Sequence, residues 1–122
     1  MKIDMNKVEY GDAHGSLYNF FKNIYYDKRY VGRTYDRSTF LEEKEKTVII
    51  FCGKPWLTEK QIKILEQSGC VLDETAECEE KDYPYIKEFL NDEEGALKWF
   101  GEMIDKLEMD FEYFYPQEEK FI

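Results

Sequence analysis

The stretch from Thr47 to Cys52 constrains the fold of this chain more than any other. It is short and rich in β-branched residues, and its apolar run is uninterrupted from Val48 onwards. Such a run is typical of a strand that is covered on both faces in the middle of a sheet. Gly53-Lys54-Pro55 ends it, so we expect a central strand that stops at Cys52.

A clearly bounded helix follows this strand. Thr58 and Gln61 have the spacing of a capping box, and Gly69 suits the left-handed conformation that ends many helices. The residues after Gly69 return to an extended pattern at Cys70-Val71-Leu72. The sequence therefore predicts a strand–helix–strand unit around residues 47–72.

Apolar spacing predicts further elements before this unit. Residues 3–10 alternate in part and suggest a first strand. After Ser16, apolar residues recur at helical intervals and predict a helix over residues 16–26. The residues that form this stripe are Leu17, Phe20, Phe21, Ile24 and Tyr25. The composition of Arg29–Tyr35 predicts a strand in which Gly32 marks a bulge.

Three elements are predicted after the unit. Pro84 suits the first turn of a short helix, whose apolar face would be Ile86, Phe89 and Leu90. A second helix begins at Asn91 or Asp92, with acidic residues in its first turn. Its core stripe is formed by Leu97, Phe100, Ile104 and Leu107. Residues 111–115 have the composition of a last strand.

These elements predict one α+β domain, or a small α/β domain, over residues 1–122. We expect about four to five strands and three to four helices, which is usual for a chain of this size. A length of 122 residues fits a single core, and an aromatic content of 17% argues against disorder.

The charge of the chain is concentrated in its second half. Residues 1–61 carry 11 Lys/Arg and 9 Asp/Glu, whereas residues 62–122 carry 6 Lys/Arg and 18 Asp/Glu, a balance of −12. Self-repulsion of this kind does not stabilise a fold, so the asymmetry points to a surface and its partners. Residues 73–94, here called the acidic segment, have a balance of −8.

The acidic segment is the candidate partner-binding site. Charge runs are usually solvated surface, but this one lies within a folded part of the chain and contains aromatic residues, which interfaces use as anchors. If it is helical, Glu88 and Asp92 share one side of the helix, as do Tyr85 and Phe89. The predicted site residues are Asp73, Glu74, Glu77, Glu79, Glu80, Asp82, Tyr83, Tyr85 and Glu88.

Other chemistries have weaker support, and we predict neither catalytic residues, nor a metal site, nor a cofactor. The three cysteines and one histidine contain no Cys-x-x-Cys pair that would indicate zinc. Gly53-Lys54-Pro55 lacks the glycines of a phosphate loop, and residues 73–79 lack the central glycine of a calcium loop.

Cys52 offers an alternative, namely a small enzyme or ligand-binding domain. It follows the central strand, and Lys54 would lower the pKa of its thiol. His14 is the only imidazole available as a base. A structural cysteine is the competing interpretation, because the pairing of Cys52 with His14 requires a tertiary contact that the sequence does not indicate.

A basic and aromatic segment covers residues 22–37. Its five Lys/Arg and interleaved tyrosines resemble the composition of single-strand nucleic-acid surfaces. Two aspartates reduce its charge to +3, however, and the chain as a whole is anionic. We expect no direct binding of nucleic acid and instead predict ion pairing with the acidic half.

Together these features predict a small acidic cytosolic binding protein. It would inhibit or neutralise a partner with a basic surface, as an immunity protein or anti-defence inhibitor of a nuclease toxin or of nucleic-acid-handling machinery. An accessory subunit of a larger complex is a third hypothesis, and a homodimer is left open. Residues 1–6 are polar, no apolar run approaches a membrane span, and the cysteines are few. We therefore expect a cytoplasmic protein without membrane contact.

Overall fold

The structure is a computed structural model, and it describes residues 1–16, 19–37, 46–51, 57–74, 83–90 and 92–111. Its strands are β1 (Val8–Tyr10), β2 (His14–Ser16), β3 (Asn19–Tyr26), β4 (Arg29–Arg37), β5 (Lys46–Phe51), β6 (Val71–Leu72) and β7 (Tyr85–Leu90). Its helices are α1 (Glu59–Gln67), α2 (Glu93–Lys106) and a 3₁₀ turn at Met5–Lys7.

All seven strands form one antiparallel sheet with the order β1-β3-β4-β5-β7-β6, in which β2 also pairs with β3. The α+β class is therefore confirmed. The predicted counts are wrong for the described part of the chain, which contains more strands and only two α-helices. Two segments with helical apolar spacing are strands, and this accounts for much of the difference.

The strand–helix–strand unit has the predicted elements in a different arrangement. β5 is central, between β4 and β7, and Thr58 and Gln61 form both bonds of the capping box before α1. Gly69 has a φ of 92° after that helix. The strands β5 and β6 are not neighbours, because β7 lies between them and is antiparallel to both.

The helix predicted over residues 16–26 is wrong, since residues 19–26 form β3. Ile24 and Tyr26 face the helices and are buried in the main core. Tyr25 faces the other side of the sheet and is only 1% exposed. A strand covered on both faces carries adjacent apolar residues, and pairs of them imitate the i, i+3, i+4 spacing of a helix.

The short helix predicted after Pro84 is wrong as well. Residues 85–90 form β7, which pairs with β5 along its whole length. Tyr85 and Phe89 are half-buried against the main core, whereas Leu90 lies on the opposite face and is 63% exposed. The predicted last strand at residues 111–115 lies outside the described residues except for Phe111.

The second predicted helix is confirmed as α2. Asp92 caps it by accepting a hydrogen bond from the backbone N–H of Gly95 at 2.9 Å. Its predicted stripe is buried against the sheet, with Leu97, Phe100, Ile104 and Leu107 all at most 2% exposed. Phe100 stacks on Phe51 of β5 with ring centroids 5.8 Å apart, so the core lies between α2 and the centre of the sheet.

The bulge predicted at Gly32 is present in the pairing of β4 with β3. The β3–β4 register shifts between Ile24 and Tyr25, which leaves Val31 without a partner residue. A Cβ on Gly32 would lie 2.1 Å from the carbonyl oxygen of Val48. Gly32 therefore permits the close approach of β4 to β5.

The turn between β3 and β4 suggests a stabilising substitution. Asp27 and Lys28 have φ values of 47° and 66°, the left-handed conformation required in a type I′ hairpin turn. Lys28→Gly should raise the free energy of unfolding by about 0.5–1 kcal/mol, because removal of the Cβ clash outweighs the added entropy of the unfolded chain. Chemical denaturation measures this change in the free energy of unfolding.

Lys28→Ala is the matched control, since it removes the charge and keeps the Cβ. Equal stability of the glycine and alanine variants would contradict this account of the turn.

Candidate functional site

The acidic segment begins directly after β6 and includes all of β7 and the start of α2. The structure describes five of the predicted site residues, namely Asp73, Glu74, Tyr83, Tyr85 and Glu88. The other four, Glu77, Glu79, Glu80 and Asp82, lie outside the described residues, so their placement stays a prediction.

Carboxylates at the end of the segment have structural partners. Glu88 forms an ion pair with Lys46 of β5, with Oε1 and Nζ 3.2 Å apart, and Asp92 caps α2. Glu93 accepts a hydrogen bond from the hydroxyl of Tyr10 at 2.8 Å. Burial, aided by Glu93, raises the pKa of Tyr10 to about 12. Glu88 and Asp92 do not share a helix side, because β7 is a strand.

The predicted aromatic anchors contribute mainly to packing. Tyr85 and Phe89 face the helices, and the Phe89 ring lies 5.5 Å from that of Trp99 on α2. Burial raises the pKa of Tyr85, and the charge of Glu66 adds to this effect. Tyr83 is half-buried just before β7. The aromatic rings of β7 are thus parts of the core that border the acidic surface.

Exposed apolar side chains mark a surface that the sequence did not reveal. Among the described residues, Leu90 at 63% and Val71 at 60% are the most exposed large hydrophobic side chains, ahead of Met5 at 45%, Tyr10 at 44% and Leu72 at 40%. Leu90, Val71 and Leu72 lie on the last two strands of the sheet. The sequence predicts only an extended segment at Val71 and Leu72 and a helix face at Leu90. Its apolar pattern therefore does not indicate that these side chains are exposed.

These residues and the neighbouring acids define what we call the β6–β7 edge. Asp73 is held beside β7 by a hydrogen bond from its backbone N–H to the Pro84 carbonyl at 2.9 Å, and Glu74 is exposed next to it. The β6–β7 edge consists of Val71, Leu72, Asp73, Glu74, Tyr83, Glu88 and Leu90. It combines apolar contact area with negative charge, which suits a basic protein surface.

The basic and aromatic segment forms a network on the sheet face opposite the helices. Arg33 donates a hydrogen bond from Nε to the Tyr30 hydroxyl at 2.9 Å, and its guanidinium carbon lies 4.7 Å from the Phe21 ring centroid. Lys46 Nζ lies 5.0 Å from the ring of Tyr35. Burial raises the pKa of Tyr30 to about 12 although Arg33 opposes the shift.

The ion pairing predicted for this basic segment has a different form. Arg29 lies 3.9 Å from the carboxylate of Asp27, within the segment itself, and Arg33 contacts aromatic residues as described above. Ion pairs between the two halves of the chain include Lys46–Glu88, just beyond the segment, and the pair of the Met1 amino group with Asp105.

A groove of about 460 Å³ lies between the first residues and the outer side of α2. The apolar side chains of Met1, Ile3 and Met5 line one wall, and the charged residues Glu94, Lys98 and Glu102 line the other. Asp105 also lines this wall and pairs with the amino group of Met1, while Lys2 and Lys98 offset Glu94 and Glu102, so the groove has no strong preference for either sign of ligand.

The residues of the Cys52 alternative are only partly described. Cys52, Lys54 and the side chain of His14 lie outside the described part of the structure. The backbone of His14 is in β2, which is separated from β5 by β3 and β4. Three strand spacings amount to about 14 Å across the sheet. The enzyme hypothesis stays a prediction.

Neither a metal centre nor a membrane span is found in the ranges that the structure describes. No group of three or more His, Cys, Asp or Glu residues there is arranged to hold a metal ion. No helix there has the length and apolar character needed to cross a bilayer.

No protein-family model, curated protein or solved structure matches the chain.

The described cysteine, Cys70, yields a labelling prediction. Burial raises the pKa of its thiol to about 11, although the nearby charge of Lys87 opposes the shift, and the residue is 5% exposed. Because the thiolate is the reactive form, iodoacetamide should label Cys70 at pH 8 only after denaturation. Peptide mass spectrometry distinguishes it from Cys52 and Cys78.

Rapid labelling of Cys70 in the folded protein would contradict its burial. The same digest examines the alternative function, since fast native labelling of Cys52 near pH 7 would favour a reactive thiol there.

Proposed function

We propose that this protein is a small acidic binding protein that inhibits a partner by covering its basic surface. The partner would be a nuclease toxin or a component of nucleic-acid-handling machinery, whose Lys/Arg-lined cleft accepts carboxylates in place of phosphates. An immunity protein or anti-defence inhibitor acts in this way without catalytic chemistry of its own.

The observation that carries the proposal is the composition of the β6–β7 edge. Val71, just before the acidic segment, and Leu90, within it, are the most exposed of the large hydrophobic residues described. An exposed apolar area with a polar rim is typical of a protein-binding surface.

Long-range electrostatics support the same partner. A balance of −12 in residues 62–122 produces a field that accelerates encounter with a cationic surface and repels nucleic acid. The described carboxylates of Glu88, Asp92 and Glu93 have partners within the fold. Recognition would therefore depend more on Glu74 and on the acids between residues 77 and 82.

Charge reversal tests the proposal. Asp73→Lys with Glu74→Lys should reduce the association rate with the basic partner by about two- to tenfold, and reversal of Glu77, Glu79, Glu80 and Asp82 should reduce it further. The wild-type rate should fall steeply from low to high salt. Affinity capture from the native host, followed by surface plasmon resonance on the recovered protein, gives both values.

The matched control reverses Glu9 and Glu102, two exposed acids away from the β6–β7 edge. It changes the net charge by the same amount as the Asp73/Glu74 variant. Recovery of no basic protein by a folded bait at low salt would contradict the proposal, as would equal slowing by the control pair.

A further inference from the structure

β6 has an outer edge with which no strand pairs in the described part of the chain. It is the last strand of the sheet, and its inner edge pairs Val71 with Ile86 and Leu72 with Tyr85. The backbone N–H of Asp73 donates to the carbonyl of Pro84. Because inward and outward groups alternate along an antiparallel strand, the N–H and C=O of Leu72 point away from β7.

The free part of this edge begins only after Cys70. Cys70 also points outward by this alternation, but its N–H donates to the Leu65 carbonyl at the end of α1, at 3.0 Å. Leu72 is therefore the free pairing position of β6 within the described residues. Natural sheets usually protect such an edge with lysine, proline or a covering element. Here the side chains on β6 are Val71 and Leu72, both exposed.

We propose that an extended segment of the partner adds to the sheet as a strand beside β6, pairing with the backbone N–H and C=O of Leu72. This inference rests on the proposed function and specifies its recognition mode. Main-chain hydrogen bonds would provide affinity, and alternate side chains would provide specificity.

The charges at this edge determine the composition of the added strand. Asp73 and Glu74 lie on or next to β6, and Glu66 is close enough to influence the pKa of Tyr85. The segment should therefore alternate Lys or Arg with β-branched apolar residues. A second copy of this chain would bring its own Asp73 and Glu74 to the same edge, and like charges facing each other destabilise a strand pair.

A peptide provides the first test, on the wild-type protein. An eight-residue peptide that alternates Lys and Val should bind at low salt and shift the amide resonance of Leu72. The same peptide with every backbone nitrogen methylated keeps its charges and loses its backbone N–H donors. It should bind about fivefold more weakly, the loss expected when one modest main-chain hydrogen bond to the Leu72 carbonyl is not made.

A proline substitution provides the second test, on the protein side. Leu72→Pro removes an outward N–H and leaves the hydrogen bonds to β7 in place, which proline permits on an edge strand. It should weaken peptide binding about five- to tenfold, whereas Leu72→Ala, which keeps the N–H, should weaken it no more than about threefold. Circular dichroism confirms that both variants fold, and the methylated peptide tests the reciprocal bond, from a peptide N–H to the Leu72 carbonyl, without any substitution.

The outcomes separate this inference from the proposed function. Equal binding of methylated and unmethylated peptides, or equal effects of proline and alanine, would overturn strand addition. Capture of a basic host protein by Leu72→Pro at wild-type strength would also overturn it and leave the proposed function standing. Failure to capture any basic protein would remove both. Self-association of the wild type that Leu72→Pro abolishes, measured by sedimentation, would assign the edge to a second copy and overturn the basic partner.

Discussion

The packing of α2 against β5 is the contact on which the rest of the molecule depends. Phe100 and Phe51 are both fully buried, and the Trp99 ring meets Phe51 edge-on at 6.0 Å. β5 is also the strand that joins β4 to β7, so the same residues that bury the helix connect the two sides of the sheet. Loss of an aromatic ring from such a site typically costs about 3–5 kcal/mol, a large fraction of a small domain's stability.

Local signals in the sequence were reliable where one residue type determines the geometry. The capping box at Thr58, the left-handed Gly69, the bulge at Gly32 and the cap at Asp92 all follow from backbone chemistry that no distant contact needs to supply. Apolar spacing was less reliable. In β3 and β7 both faces are at least partly covered, and the resulting pattern is shared by a strand and a helix. A strand and a helix are distinguished here only by the pairing with β4 and β5. That pairing cannot be read from the sequence.

The candidate site was predictable in charge but not in form. Counting carboxylates located the acidic segment, whereas the partners of its acids depend on tertiary structure: Lys46 reaches Glu88 across neighbouring strands, and Tyr10 reaches Glu93 from β1. The exposed positions of Val71 and Leu90 depend on strand order, because an apolar residue is exposed when its strand is last or its face is uncovered. No feature of composition records that order.

The two-residue connection between β3 and β4 has a consequence for the order of folding. These strands are adjacent in sequence and share the longest pairing in the sheet, so they can associate at a small cost in loop entropy. β5 and β7, in contrast, must close a long intervening segment before they pair. We therefore expect the hairpin to form early and the β7 and β6 strands to join last. The end of the sheet that carries the exposed apolar residues would then also open most readily in the native state, so its amides should exchange with solvent sooner than those of Ile24 and Val31.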